Sequence, residues 1–302
     1  MQLMAIIPPN NIPVELFGRD TSLPCPTDGI WKSLQEEDSA NTPFKDVFCP
    51  FTDSKCDKIR KARPNPLIGN CGVRRTITAR NVNEDWIVCP KRFEQDNIIF
   101  KDCVKLIKGD QSELKLTNEV ILRPVGNIDF ALVNYHEDDG IEDFLGIEVQ
   151  GMGTSNTGGI WVARNDYLNN TMSENYQFSL NLKDASKKIL IQLLHKSAQL
   201  SRWRYSLVLV IQDYFLDHLK DNYNIDTHFH PQNQQDFVHI HSYSYKKNTD
   251  GAYTLELSEA LSTDILGLSM CLISNPSRKY LPHSILDDRI RARDRDGKLR
   301  PI

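Results

Sequence analysis

Four of the chain's seven cysteines, Cys49, Cys56, Cys71 and Cys89, fall inside one 41-residue window. An odd total, clustered this way, does not describe the paired bridges of a secreted disulfide framework. It describes a reduced, cytoplasmic protein in which grouped cysteines hold a metal or do chemistry. Four thiolates satisfy a tetrahedral soft-metal site, for zinc or for a single iron. The strings FCPFTDSKC, GNCGV and DWIVCPKRF are spaced more loosely than a paired CxxC ribbon, so four ordinary buried thiols are the competing reading. Cys25, Cys103 and Cys271 lie outside the window and read as simple apolar side chains.

Charge follows the same window. The formal net charge of −4 conceals a segregation. Residues 1–48 carry 3 basic and 7 acidic side chains, residues 49–108 carry 13 and 7, and residues 109–302 carry 20 and 26. A basic block that coincides with the cysteines predicts a metal-held module with a cationic surface bearing Arg74, Arg75, Lys91 and Arg92. The expected organisation is therefore threefold. Residues 1–44, rich in proline (Pro8, Pro9, Pro13, Pro24, Pro26, Pro43), form an extended arm. Residues 45–110 form the four-cysteine module, and residues 111–302 form the core with a C-terminal tail.

Several classes drop out. At 302 residues, 40% of them apolar, the chain can bury roughly three-quarters of its unfolded surface. Its longest purely apolar run, Leu207 to Ile211, is too short to span a bilayer. The opening MQLMAIIPPNN has no basic region before its apolar stretch and does not read as a signal peptide. No 20–50-residue repeat is present. A pI near 6.1 argues against a uniformly basic nucleic-acid coat, though not against a local basic site.

From Leu116 onward the pattern is that of a mixed α/β core. NEVILRP, NIDFALVNY and FLGIEVQ are short strand-like runs separated by Pro, Gly and acidic turns. Asp184 is placed to cap a helix from Ala185 to about Trp203, with Ile189, Leu190, Leu193, Leu194 and Ala198 at helical spacing. YSLVLVI (205–211) reads as a buried strand, followed by a helix near Gln212–Asp221 and the alternating strand DFVHIHSYSY. The sign-alternating DDRIRARDRDGKLRP reads as a solvated tail or helix end.

The acids supply the second constellation. Glu148 and Gln150 in GIEVQ share one strand face, with Ile147 and Val149 on the other. An Asp such as Asp129, in IDFALV, beside an Asp/Glu-x-Lys strand is how many metal-dependent nucleases hold Mg²⁺. Here Gln150 stands at the lysine position, so the alternative is a polar strand face carrying solvated acids. Glu119, in NEVIL, is a third acid able to complete the metal shell or simply to begin a strand.

The two constellations together resemble the NotI/EagI-type restriction endonucleases. CPF…C, GNCGV, DWIVCPKR, NID and GIEVQ occur in that order over roughly residues 45–151. The resemblance implies a PD-(D/E)xK, restriction-endonuclease-like mixed sheet flanked by helices, preceded by the four-cysteine module. It implies that Cys49, Cys56, Cys71 and Cys89 ligate a structural iron, and that Asp129 and Glu148 bind the catalytic Mg²⁺. Gln150 is similar to the residue that replaces the lysine in this set, and Glu119 to a further acid of the site. The implied activity is Mg²⁺-dependent cleavage of double-stranded DNA at a GC-rich palindrome, leaving 5′-phosphate ends, by a homodimer in a prokaryotic cytoplasm.

Three other features bear on function. The helix KKILIQLLHKSAQLSRWR carries Lys187, Lys188, Lys196, Arg202 and Arg204 without an acid, which is either a solvated face or a track for a DNA backbone. The pairs His228/His230 and His239/His241 are either a second metal site or exposed strand positions. Rival functions are a non-catalytic DNA-binding protein built on the cysteine module, and a PD-(D/E)xK repair nuclease with little sequence preference.

Overall fold

A computed structural model describes residues 10–35, 47–60, 67–77, 80–136, 140–273 and 283–298. The opening stretch with Pro8 and Pro9, the region of Pro43 and the last four residues lie outside the described residues. So does the expected boundary at residues 44 and 45.

The chain begins with β1 (Ile12–Leu16), β2 (Arg19–Asp20) and α1 (Gly29–Gln35), then β3 (Asn70–Ile77) and β4 (Val82–Ile87). These four strands form one antiparallel sheet in the order β2-β1-β3-β4. Residues expected as an extended arm are thus paired directly with the strand that carries Cys71. Pro13 is tolerated in β1 because the β1–β3 register shifts between Pro13 and Glu15, and a bulge absorbs a residue that cannot donate to the ladder.

A short 3₁₀ segment (Pro90–Asn97) and α2 (Ile98–Val104) lead to the main sheet. β5 (Leu114–Leu122), β6 (Gly126–His136) and β7 (Gly140–Val149) form an antiparallel meander. The short β8 (Thr154–Ser155), α3 (Thr157–Leu168), β9 (Ser179–Leu180) and α4 (Leu182–Arg202) carry the chain over to β10 (Ser206–Gln212), parallel to β7. Next come α5 (Asp213–Asn222), α6 (Ile225–His228), β11 (His230–Pro231), β12 (Val238–Lys247), β13 (Tyr253–Thr263), α7 (Ile265–Ile273) and α8 (His283–Arg295). The seven-stranded order is β11-β13-β12-β10-β7-β6-β5, so the fold is mixed α/β with a large mixed sheet and flanking helices.

The burial pattern explains the layering. Every residue of β10 is buried, as a parallel strand covered on both faces requires. On one face α4 lays Ile189, Leu190, Leu193 and Leu200 against Leu207, Leu209 and Ile211. On the other, Phe93, Ile99 and Phe100 cover Leu145, Ile147, Val208 and Val210. α4 starts three residues before the expected Asp184 cap, at Asn181, because Leu182 also packs on this core. β5 is the exposed edge of the sheet.

Several side chains of the large sheet dock the small one, among them Tyr245 on Glu15 (3.0 Å), Tyr253 on Asp85 (2.8 Å) and Gln212. Gln212, at the end of β10, donates from Nε2 to the Asp85 carbonyl (2.7 Å) and accepts at Oε1 from the Ile87 N–H (2.7 Å). Gly151 marks a second close approach: a Cβ there would come within 2.9 Å of the Pro90 nitrogen and 3.1 Å of the Cys89 carbonyl carbon. The turn carrying Cys89 therefore sits on the residue that follows GIEVQ.

Candidate active site

The strand registers place three acids in one row. Asn118 and Val120 pair with Phe130 and Ile128, so Glu119 on β5 lies opposite Asp129 on β6. Phe130 pairs with Ile147, and continuing that register puts Asp129 opposite Glu148 on β7. Like charges directly across a sheet are destabilising, so such a row is not explained by folding. Glu119 also has φ +49°, a left-handed backbone rare for a residue with a Cβ. Strained positions of this kind gather at functional sites.

Glu119 and Asp129 line an open cleft of about 1040 Å³, bounded by the cysteine loop, the 3₁₀ segment and the β5–β7 end of the sheet. Asp129 is exposed, and its Oδ2 accepts from the Val149 N–H at 2.9 Å, which ties β6 to the end of β7. Glu148 does not face this cleft as a solvated acid. It is 5% exposed, and its Oε1 accepts from Lys196 Nζ at 2.6 Å. Burial pushes its carboxyl up to about 7; Lys196 opposes the shift and Asp129 adds to it. Gln150 lies just past β7. Its backbone N–H donates to the Val210 carbonyl (3.0 Å) and its side-chain Nε2 to the Gly151 carbonyl.

Two members of the site were not read from the sequence. Glu94, in the 3₁₀ segment, lines the cleft, and burial raises its carboxyl to about 7, against Lys91 and with Asp129 adding. No periodicity marks it. Lys196 carried a usable signal: it falls three residues after Leu193 and four before Leu200, on the apolar stripe of α4, where an unpartnered lysine is not tolerated.

The four cysteines come from three short pieces of chain. Cys49 donates its N–H to the Ser54 carbonyl (2.8 Å) and Cys56 to the Val47 carbonyl (2.7 Å), closing a tight loop. Cys71 lies in β3, and its carbonyl accepts from both Val88 (3.0 Å) and Cys89 (3.3 Å). All four are free thiols. Burial pushes Cys56 up to about 11, opposed by a backbone hydrogen bond at Lys58, with Cys89 and Cys49 adding to the rise. Burial likewise raises Cys71 and Cys89, and Cys71 feels both Cys89 and Cys56. The thiols are thus electrostatic neighbours. Among the described residues, however, no group of three or more His, Cys, Asp or Glu side chains is arranged to hold a metal ion. The donor set fits a soft metal in its chemistry, and the loop-plus-strand arrangement brings the thiols to one place; it does not converge them into a ligand shell.

The expected cationic surface is largely consumed by internal pairs. Arg92 is fully buried: Nε donates to Glu15 (2.8 Å), a terminal nitrogen donates to the Tyr253 carbonyl (2.6 Å), and its guanidinium stacks 4.3 Å from the Phe51 ring. Arg74 forks onto Asp85 at 2.7 and 2.9 Å, and Lys91 pairs with Asp57 at 3.0 Å. On α4, Lys196 is buried, whereas Lys187, Lys188 and Arg202 are exposed, as is Arg204 just past its end. His239 and His241 are not exposed strand positions but buried, because β12 is covered on both faces. Burial lowers both to about 4, and they bond to the Asp236 carbonyl and to Gln232. His230 pairs with Asp236 at 3.2 Å.

No helix among the described residues is long and apolar enough to cross a membrane. No curated relative matches the chain, and no solved structure does. The family model for restriction endonuclease NotI matches residues 34–254, which takes in the cysteine window, the row of acids and the parallel strands through β12. The chain belongs to the NotI restriction endonuclease family, nucleases whose partner is DNA.

Proposed function

We propose that this chain is a Type II site-specific deoxyribonuclease that hydrolyses both strands of a GC-rich palindrome with Mg²⁺, leaving 5′-phosphate ends, and acts as a homodimer. The observation that carries the reading is the row Glu119, Asp129 and Glu148 across β5, β6 and β7, of which Glu119 and Asp129 line the cleft and Glu148 is buried behind them. Two carboxylates at a cleft fit Mg²⁺, which keeps most of its waters and needs only one or two protein carboxylates plus substrate phosphate. The absence of a three-ligand cluster among the described residues is no obstacle to such an ion.

Asp129 and Glu148 would hold the ion, with Glu119 beside them. When bound, Mg²⁺ supplies charge to the phosphate and acidifies the attacking water. Asp129 is fixed for this by the Val149 N–H, and Glu148 by Lys196. Gln150 cannot act as a base, since an amide does not titrate in this range. With Nε2 engaged, its Oε1 is the atom offered to orient a water. The four cysteines would have to draw closer together than they stand to hold iron or zinc, and four thiolates would leave no position for substrate, which makes that role a structural one. A two-fold palindrome is met most simply by a two-fold protein.

Digestion of long, unmethylated, GC-rich DNA tests the reading. Discrete fragments that require Mg²⁺, with ends that sequence to one palindrome, are the expected result. A smear would replace it with a repair nuclease, and retardation without cutting with a binding protein.

A further inference from the structure

The Glu-x-Gln motif leaves the site short of a cation, because its third position is an amide. The structure brings a cation to the same glutamate from another element. Lys196, in the middle of α4, reaches Glu148 Oε1 with Nζ at 2.6 Å, and both side chains are over nine-tenths buried. Its stem passes beside Gly126, at the start of β6, where an added Cβ would stand 3.5 Å from Lys196 Cε. Among the described residues Glu148 is the only partner of this ammonium, which has three donors.

A structural role explains this poorly. A buried ion pair is weak evidence for stability, since well-packed apolar residues often serve as well or better. Position 196 sits on the apolar stripe of α4, between Leu193 and Leu200, where leucine or methionine would continue the core. The lysine instead meets the one acid of the row that is turned away from solvent. It occupies Oε1 at 2.6 Å, and the backbone of Asp129 adds a hydrogen bond to the same carboxylate.

We propose that Lys196 supplies from α4 the positive charge that the strand motif lacks, as a positioning residue that takes one oxygen of Glu148 and leaves the other for the divalent cation. This rests on the nuclease reading above. It predicts that the function of the lysine is transferable: a lysine at position 150 should replace one at position 196.

The test compares wild type, Lys196→Met, Lys196→Arg and the double variant Lys196→Met/Gln150→Lys. Each is measured for single-turnover cleavage of an oligonucleotide carrying the site mapped with wild type, for binding of that DNA without Mg²⁺, and for thermal unfolding. Lys196→Met should lose about 100-fold or more in cleavage rate with DNA affinity within about threefold of wild type. Lys196→Arg should retain more activity than Lys196→Met, and the double variant should recover at least about tenfold over it. Lys196→Met cutting within about threefold of wild type would overturn the proposal. If Lys196→Met does not fold, the double variant decides: folded and cutting supports the transfer, folded and inactive overturns it. A wild type that does not cut at all with Mg²⁺ removes the nuclease reading itself, a failure distinct from that of Lys196 alone.

Discussion

Glu119 shows how the site works against the fold at the level of one residue. Its left-handed backbone lies inside β5, and the register places it across from Asp129. An L-residue held there costs about 1–2 kcal/mol relative to glycine, which adopts such angles freely. Glu119→Gly is therefore expected to raise the midpoint of denaturant unfolding by about 1 kcal/mol equivalent while lowering cleavage. A variant that is both less stable and fully active would contradict this. Arg92 is the opposite case, a charge serving only the fold. Removing it leaves Glu15 buried without its partner, while Tyr245 still donates to Glu15 at 3.0 Å. Arg92→Met should cost about 3–5 kcal/mol of unfolding free energy in equilibrium denaturation. Glu94 gives the pH dependence. Its folded carboxyl titrates near 7, above the usual 4.5, because of burial in the cleft, opposed by Lys91 and reinforced by Asp129. The folded chain thus holds a proton that the unfolded chain has released. The stability contributed by Glu94 is complete below about 4.5 and is lost as pH rises through 7. Glu94→Gln should flatten the fall in thermal midpoint between pH 5 and pH 8, and an unchanged slope would show that the shift resides elsewhere.

Elements differ in how much of them the sequence reveals. β10 was legible because a strand buried on both faces is a continuous apolar run, and α4 because its stripe repeats every three to four residues. β6 and β7 were found from the same kind of pattern. β3 and β4 were hidden: NCGVRRTI and VNEDWI mix charges with core residues, and the pairing of β3 with β1 is long-range. The burial of His239 and His241 was equally invisible, since it depends on what covers the face of β12, as Cys103 on α2 does beside His241. For the site, Asp129, Glu148 and the cysteines could be located by motif. Their third dimension, in which Lys196 meets Glu148 and Cys89 rests on Gly151, depends on packing that no local string encodes. If the proposed metal is bound, the loop from Val47 to Arg60 is where its thiols would matter most. It is held by two isolated bridges, Phe48 with Lys55 and Ile59 with Leu67, rather than by a regular strand. Chelation, or Cys56→Ser, should release one iron or zinc per chain and expose this loop to proteolysis while the seven-stranded sheet persists. A loop as resistant as before, in protein containing neither metal, would remove the metal from the account.

At the scale of the molecule, the large sheet carries the row of acids, and the loop of Cys49 with the 3₁₀ segment forms the opposite wall of the cleft. The proposed homodimer would set two such clefts against the two strands of one palindrome, and sedimentation of the DNA-bound protein should give two chains per site. The central claim, that Glu148 belongs to a Mg²⁺-dependent nuclease site rather than to the core alone, is tested most directly by Glu148→Ala beside wild type on the mapped DNA site. The prediction is loss of cleavage with site-specific binding retained. Cleavage at the wild-type rate by Glu148→Ala would contradict it.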